Sequence, residues 1–410
     1  MTLRCFSSVW SLFMLLNAAD KALWRLALPM IFSNITVPLL GLVDTAVIGH
    51  LESPVYLGGV AVGATATSFL FMLLLFLRMS TTGLTAQAWG AKDPQRLARA
   101  LVQPLALALG AGVLIIALRL PLINLALHIV GGSEAVLEQA RRFLEIRWLS
   151  APASLANLVL LGWLLGVQYA RAPVILLVVG NLLNIVLDLW LVMGLRMNVQ
   201  GAALATVTAE YATLIIGLVM AKRVLTLRGV SLSMLKNAWR GDLRRLLALN
   251  RDIMLRSLLL QLCFGALTVF GARLGSDIVA VNAVLMTMLT FTAYALDGFA
   301  YAVEAHSGQA YGARDGSQLL EVWRAACRQS GMVALAFALI YSLAGEYIIA
   351  LLTSLPSLQQ LADRYLIWQA ILPVVGVWCY LLDGMFIGAT RGAETVSYTH
   401  LRAHETLMNL

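Results

Sequence analysis

The stretch QAWGAKD at residues 87–93 recurs as QAYGARD at residues 309–315. Each of the seven positions is identical or conservatively replaced. The offset, 222 residues (309 against 87), also pairs Gly49 with Gly271 and Arg142-Phe143-Leu144 with Arg364-Tyr365-Leu366. It pairs Gly162 and Gly166 with Gly384 and Gly388, and Arg171 with Arg391 after a two-residue slip. A period this long, carried by scattered glycines and short motifs, marks a chain built from two copies of one large unit.

Composition says what the unit is. Apolar residues make up 60% of the 410, charged residues 12%, and mean hydropathy is +0.84. Soluble domains run near half apolar and a quarter charged. The balance excludes a soluble enzyme, a disordered chain and a disulfide scaffold. Cys5, Cys263, Cys327 and Cys379 are too dispersed for a zinc spacing or a disulfide framework. Apolar runs long enough to cross a bilayer fall near residues 22–49, 55–89, 98–124, 134–168, 173–194, 200–223, 243–272, 277–311, 318–345 and 358–390. The fold class expected is all-α and integral to a membrane, with ten spans.

The net charge of +8 sits in the gaps between runs. Eighteen Lys and Arg residues lie in the N-terminus and the even gaps, seven of them between Lys222 and Arg245, against Arg196 and Arg273 in the odd gaps. The positive-inside rule puts the N-terminus and even gaps in the cytoplasm. No basic aromatic stripe suggests nucleic acid. Because the offset spans six helices, both copies keep one orientation, a parallel repeat about an axis along the membrane normal. The segments expected are an N-terminal extension (1–20), a six-helix lobe (21–223), a cytoplasmic linker (224–242), a second lobe with four of six helices (243–391) and a tail (392–410). A complete second copy needs about fifty more residues. The tail, with His400, His404 and Glu405, reads as foreign to the fold. The missing helices are expected to leave Asp297 and Glu304 without partners.

A carboxylate inside a span costs about 2.5–3.5 kcal/mol on insertion scales and so marks a candidate site. Asp44, Asp188, Glu210, Asp297, Glu304 and Asp383 qualify. Asp44 follows Pro29 and Pro38 on one run, and each proline removes a backbone donor and invites a bend. Asn181, Asn184 and Asp188 fall at i, i+3 and i+7, on one helix face, and Thr206 lies on the next run. Asp44, Asp188, the two amides and the Thr206 hydroxyl form an all-oxygen set. It suits a proton shared between acids or a small hard cation such as sodium, or equally a structural network that glues helices. The second copy lacks these acids: Asp44 falls on Ala266. Its own polar stripe is Asp297, Tyr301 and Glu304 at i, i+4 and i+7, with Glu304 opposite Thr82 of the first copy. His306, His50 and His128 read as satisfied histidines. No nucleotide loop, zinc-protease motif or nucleophile elbow is visible, so neither an enzyme nor an ATP-driven pump is expected.

The Asp44 segment, QAWGAKD, and GNLLNIVLD followed by GAALATVTAE, in that order, resemble the multidrug and toxic compound extrusion (MATE) family, closest to its DinF branch, over residues 20–391. The resemblance implies two six-helix lobes in a V and export of cationic or amphipathic toxicants from the bacterial cytoplasm across the inner membrane. Inward proton or sodium flow drives it, with no cofactor and as a monomer in membrane lipid. It assigns ion coupling to Asp44, Asn181, Asn184, Asp188 and Thr206. A lipid-linked precursor flippase of the same superfamily is the alternative. It would favour a strongly cationic cavity, whereas intramembrane arginines here are few (Arg78, Arg119, Arg256).

Overall fold

The computed structural model describes residues 17–49, 51, 53–241 and 243–394, and these form helices with no strand among them. In chain order the first lobe holds α1 (Ala18–Gly49), α2 (Pro54–Leu73), α3 (Phe76–Gly90), α4 (Pro94–Ala117), α5 (Arg119–Val130), α6 (Glu134–Arg147), α7 (Ala151–Gly166), α8 (Arg171–Asp188) and α9 (Asn198–Leu227). The short α10 (Leu232–Asn237) leads to α11 (Leu243–Leu274), α12 (Ser276–Gly312), α13 (Gly316–Leu352) and α14 (Pro356–Gly388). Each expected apolar run lies on a long helical stretch. Among the described residues, eight stretches are long and apolar enough to cross a membrane: 54–90, 94–117, 134–166, 171–194, 198–227, 280–312, 316–352 and 356–388. The other two, α1 and α11, are 32 residues each, about 48 Å at 1.5 Å per residue.

Local chemistry places the ends. Asp93 caps α4 by accepting from the Arg96 amide at 3.1 Å, and Pro94 follows at the first helical position, where no N–H is needed. Asp315 caps α13, accepting from the amides of Ser317 and Gln318 at 3.1 and 3.0 Å. Three expected runs are interrupted. The 55–89 run breaks at Leu74–Leu75, the 98–124 run at Leu118, and the 134–168 run passes through a 3-10 turn at Trp148–Ser150. A further feature departs from expectation: α8 stops at Asp188 and continues as a π-helical turn, Leu189–Gly194. By contrast α1 runs unbroken across Pro29 and Pro38.

The largest apolar core lies wholly within residues 47–238 and centres on Trp163, Leu160 and Leu155. A separate core in the second lobe joins Val281, Met288, Tyr341 and Ile349. Between them lies a seam with its own core, in which Leu23, Leu26, Ala27, Met30 and Leu165 meet Phe299, Ala302, Val303, Ala305, Ala326 and Leu381. The first helix of each lobe crosses this seam. Early α1 packs on α12 and α13, through Trp24 to Gln329 (3.0 Å) and Asp20 to Arg328 (2.6 Å). In the other direction α11 reaches α3, with Arg245 on the Gln87 side-chain oxygen (3.4 Å).

The repeat becomes a pseudo-twofold at the seam. A Cβ on Gly90 would lie 2.0 Å from the Gln309 carbonyl, and one on Gly312 would lie 2.1 Å from the Gln87 carbonyl. The two copies of the motif thus cross each other backbone to backbone. Gly162 stands over the Arg78 carbonyl as Gly384 stands over Ala300, and Gly166 over Thr82 as Gly388 over Glu304. Each pair is related by the 222-residue offset. So are the left-handed residues Lys92 and Arg314 (φ 53° and 56°) and Gln168 and Thr390 (φ 58° and 55°). The Gln87 amide donates to Thr390 Oγ1 at 3.0 Å, and the Gln168 amide donates to Gln309 at 2.6 Å. The repeat legible in letters is therefore a symmetry of contacts.

Candidate functional site

Helix α8 presents Asn181, Asn184 and Asp188 along one face, between α1 and α9. The Asn181 amide donates to Thr36 Oγ1 on α1 at 2.6 Å. Asn184 and Thr206 of α9 lie 3.4 Å apart, amide nitrogen to hydroxyl. Asn184 and Asp188 are buried. Thr206 also donates to the Ala202 carbonyl at 3.1 Å, which fixes its rotamer. Four of the five expected coupling residues thus lie on two packed helices, Asn184 meeting Thr206 and Asn181 meeting Thr36 of α1. The fifth, Asp44, lies on α1 eight residues beyond Thr36, and its side chain lies outside the described residues, as do His50 and the tail residues His400, His404 and Glu405.

The π turn begins at the residue after Asp188. An i→i+5 turn is rare, occurs mostly as a single turn inside an α-helix, and gathers at functional sites. Here it ends the α-helical hydrogen-bond ladder beside a buried carboxylate. The arrangement can hold a proton or a small cation among oxygen ligands.

Glu210, one turn past Thr206, belongs to a different cluster. It receives Arg147 through two contacts, 3.0 and 3.2 Å, and Ser154 also donates to it. Arg147 lies over the Phe71 ring at 5.3 Å. This pair knits α6, α7 and α9 within the first lobe.

The second-lobe stripe on α12 descends into the seam. Asp297 and Tyr301 are half-buried and Glu304 is buried. Glu304 has a partner after all, and the first lobe supplies it. Arg78 of α3 donates to Glu304 Oε2 at 3.3 Å, with side-chain exposures of 3% and 2%, and its guanidinium lies 4.5 Å from the centre of the Tyr301 ring. The expectation that Glu304 would be left alone fails because the partner comes across the seam, not from within the lobe. Asp383 of α14 pairs with Arg256 of α11 at 2.7 Å. What the sequence signals is that Arg78 and Arg256, arginines inside apolar runs that cannot lose their charge, need partners; it does not say which. His306 sits against the Ala22 carbonyl at 3.2 Å, and His128 is exposed at the end of α5.

Comparison with known proteins bears on the family and the fold. The MatE family model matches residues 29–190 and 253–400. The DNA damage-inducible protein F of Escherichia coli K12 is 84% identical over 393 residues, covering 95% of this chain and 86% of that protein. A crystal structure of a MATE protein in its straight conformation superposes with TM-score 0.84 at 24% identity, over 94% of this chain and 86% of that one. Another, in complex with a molecule designated MaD3S, gives 0.81 at 25% identity, over 93% and 85%. With two matched segments that take in most of the chain, a close bacterial relative and a shared two-lobe fold, this protein belongs to the MATE family of multidrug and toxic compound extrusion transporters.

Proposed function

We propose that this transporter is a cation-driven antiporter, with protons as the coupling ion. It exports amphipathic and cationic toxicants from the bacterial cytoplasm across the inner membrane, with its N-terminus cytoplasmic. The observation that carries the coupling is the buried Asn184 and Asp188, with part-buried Asn181 and Thr206 beside them, just before a break in the α-helix. A buried carboxylate among amides and a hydroxyl is stable when protonated and bears a cost when charged. Loading and unloading it therefore biases how α1, α8 and α9 pack. Two packings of one element, biased by a bound proton, are what alternating access requires.

The lobes are joined at the end that bears the basic loops: Gln87, Gln168, Gln309 and Thr390 all bond there. If that end is cytoplasmic, as the charge distribution argues, this is the form closed to the cytoplasm. One proton moving down one pH unit and 100 mV releases about 3.7 kcal/mol, enough for a gradient of roughly a few hundredfold in a neutral cargo. Asp188→Asn keeps the size and most of the hydrogen bonding but cannot carry a proton. In proteoliposomes with an imposed pH gradient it is expected to insert normally and lose dye export. Wild-type export by that variant at equal abundance would refute the assignment.

A further inference from the structure

The pair that joins the lobes deep in the seam has no counterpart under the repeat. Arg78 and Glu304 map by the offset onto Ala300 and Thr82. They lie 226 residues apart in sequence and meet through a single contact of 3.3 Å. Glu304 is eleven residues from the Asp315 cap, about 16 Å along α12 from the basic end. Above it, α12 carries Tyr301 and Asp297, each less buried than Glu304. The stripe therefore runs from a part-open position down to the closed seam.

We propose that Glu304 is a second proton-binding site, and that its pairing with Arg78 locks the two lobes together at the cytoplasmic end until a proton releases it. The proposal rests on the alternating-access reading above, because it needs the seam to part once in each cycle. Parting the seam separates Arg78, on α3, from Glu304, on α12. A carboxylate left alone at this depth is costly, and a proton on it removes that cost. Arg78 keeps its charge, and water admitted by the opening seam solvates it. By linkage, whatever factor makes the protonated form open more readily also makes the open form bind the proton more tightly. Proton entry from the outer side along Asp297 and Tyr301 would thus license the change to the inward-open form. Release to the cytoplasm would restore the pair.

The other charged groups around this position fit the role. From α14 comes Asp383, within electrostatic reach of Glu304 and itself held by Arg256 of α11. On α3 the Thr82 hydroxyl donates to the Arg78 carbonyl at 2.9 Å. Asp20 of α1 and Arg328 of α13 are paired with each other, while Lys21, Arg25, Glu321 and Arg324 are exposed. Helix α7 carries no ionisable residue. Arg78 is the one cation that contacts Glu304 among the described residues.

The test reads the seam directly, without transport. In the full chain, with Cys5, Cys263, Cys327 and Cys379 replaced by alanine, spin labels are placed at Ala91→Cys and Ala313→Cys. Both positions are exposed and are related by the offset. Distances are measured in lipid vesicles across a pH series. The expected result is a short distance that gives way to a longer one as pH falls. In Glu304→Gln the longer distance should dominate at every pH, with the open-to-closed ratio at high pH raised about tenfold or more. A Glu304→Gln protein with the wild-type closed population and pH response would overturn the proposal. Should that variant not insert, Arg78→Lys keeps the cation with a shorter reach and is expected to move the midpoint of opening; an unmoved midpoint would overturn it equally. Asp188→Asn separates the two ideas. It is expected to lose export yet retain the Glu304-dependent opening, and loss of that opening in it would assign the pH response to Asp188 and overturn the lock.

Discussion

Gly162 against the Arg78 carbonyl and Gly384 against the Ala300 carbonyl are one contact made twice, and so are Gly90 on Gln309 and Gly312 on Gln87. Place the charged residues of the seam and the spans on the same frame and these four do not repeat. Arg78 stands opposite Ala300, Glu304 opposite Thr82, Asp383 opposite Leu161, and Arg256 opposite Asn34. The frame has kept its glycines because a Cβ would strike a backbone carbonyl, which cannot move aside as a side-chain tip can. Side chains that face the cavity or the seam carry no such constraint from the frame, so each lobe has acquired its own polar chemistry. The first gathers amides, a hydroxyl and Asp188 around a π turn. The second gathers carboxylates answered by arginines from α3 and α11.

If charge is the unrepeated layer, breaking it on one side should cost most. Arg78→Leu strands Glu304 in a buried seam. Removing one partner of a buried pair typically costs about 3–5 kcal/mol. The double variant Arg78→Leu/Glu304→Leu should recover most of that loss, since no charge is left to bury. Thermal unfolding in detergent or nanodiscs, with the two single variants and the double, gives the coupling. Additive losses would mean that the pair is incidental to the seam.

The repeated layer makes the opposite forecast, smaller and symmetric. Gly90→Ala and Gly312→Ala should each destabilise by about 1–3 kcal/mol through overpacking, and by similar amounts, because the carbonyl is approached at 2.0 and 2.1 Å in the two cases. The same melts that score the charge variants score these. A large loss from one and none from the other would break the claim that the backbone crossing is a twofold.

Legibility in the amino-acid sequence follows the same division. The twofold shows in QAWGAKD and QAYGARD because the constraint acts on residue identity: glycine is demanded wherever backbones touch. Asn181, Asn184 and Asp188 can be set on one face because a helix converts spacing into direction. That Asn184 meets Thr206 needs the angle between α8 and α9, which letters do not carry. Glu210 illustrates the limit. Its position one turn from Thr206 suggests kinship with the coupling set, but Arg147, 63 residues earlier, claims it. Glu304 defeats the letters for a related reason. They direct the search for its partner to its own lobe, whereas Arg78 is brought to it by the crossing of α3 and α12. The breaks at Leu74–Leu75 and Leu118 and the π turn after Asp188 carry no proline or glycine at their start to announce them.

The smallest forecast concerns the caps at the basic end, where the frame repeats but the bonding does not. Asp93 and Asp315 stand at equivalent places, each the first residue before a helix. Asp93 accepts one backbone bond, from Arg96. Asp315 accepts from the Ser317 hydroxyl at 2.6 Å and from the amides of Ser317 and Gln318. The Ser317 hydroxyl and the Gln318 amide hold the Asp315 carboxyl below its ordinary value of 3.8. A carboxylate favoured in the folded state contributes stability that is present above its unfolded value and lost as pH falls through its folded one. Asp315→Ala should therefore lower the unfolding temperature slightly, and more than Asp93→Ala does. The gap between Asp315→Ala and the wild type should hold at pH 6–8, about two units or more above a carboxylate's ordinary value. It should narrow as the pH is taken below that value, where the wild type loses the same bonds by protonation. Ser317→Ala removes one of the three bonds and is expected to fall between wild type and Asp315→Ala. Equal effects from the two aspartates would show that the extra bonds at Asp315 add nothing to a cap that both lobes already share.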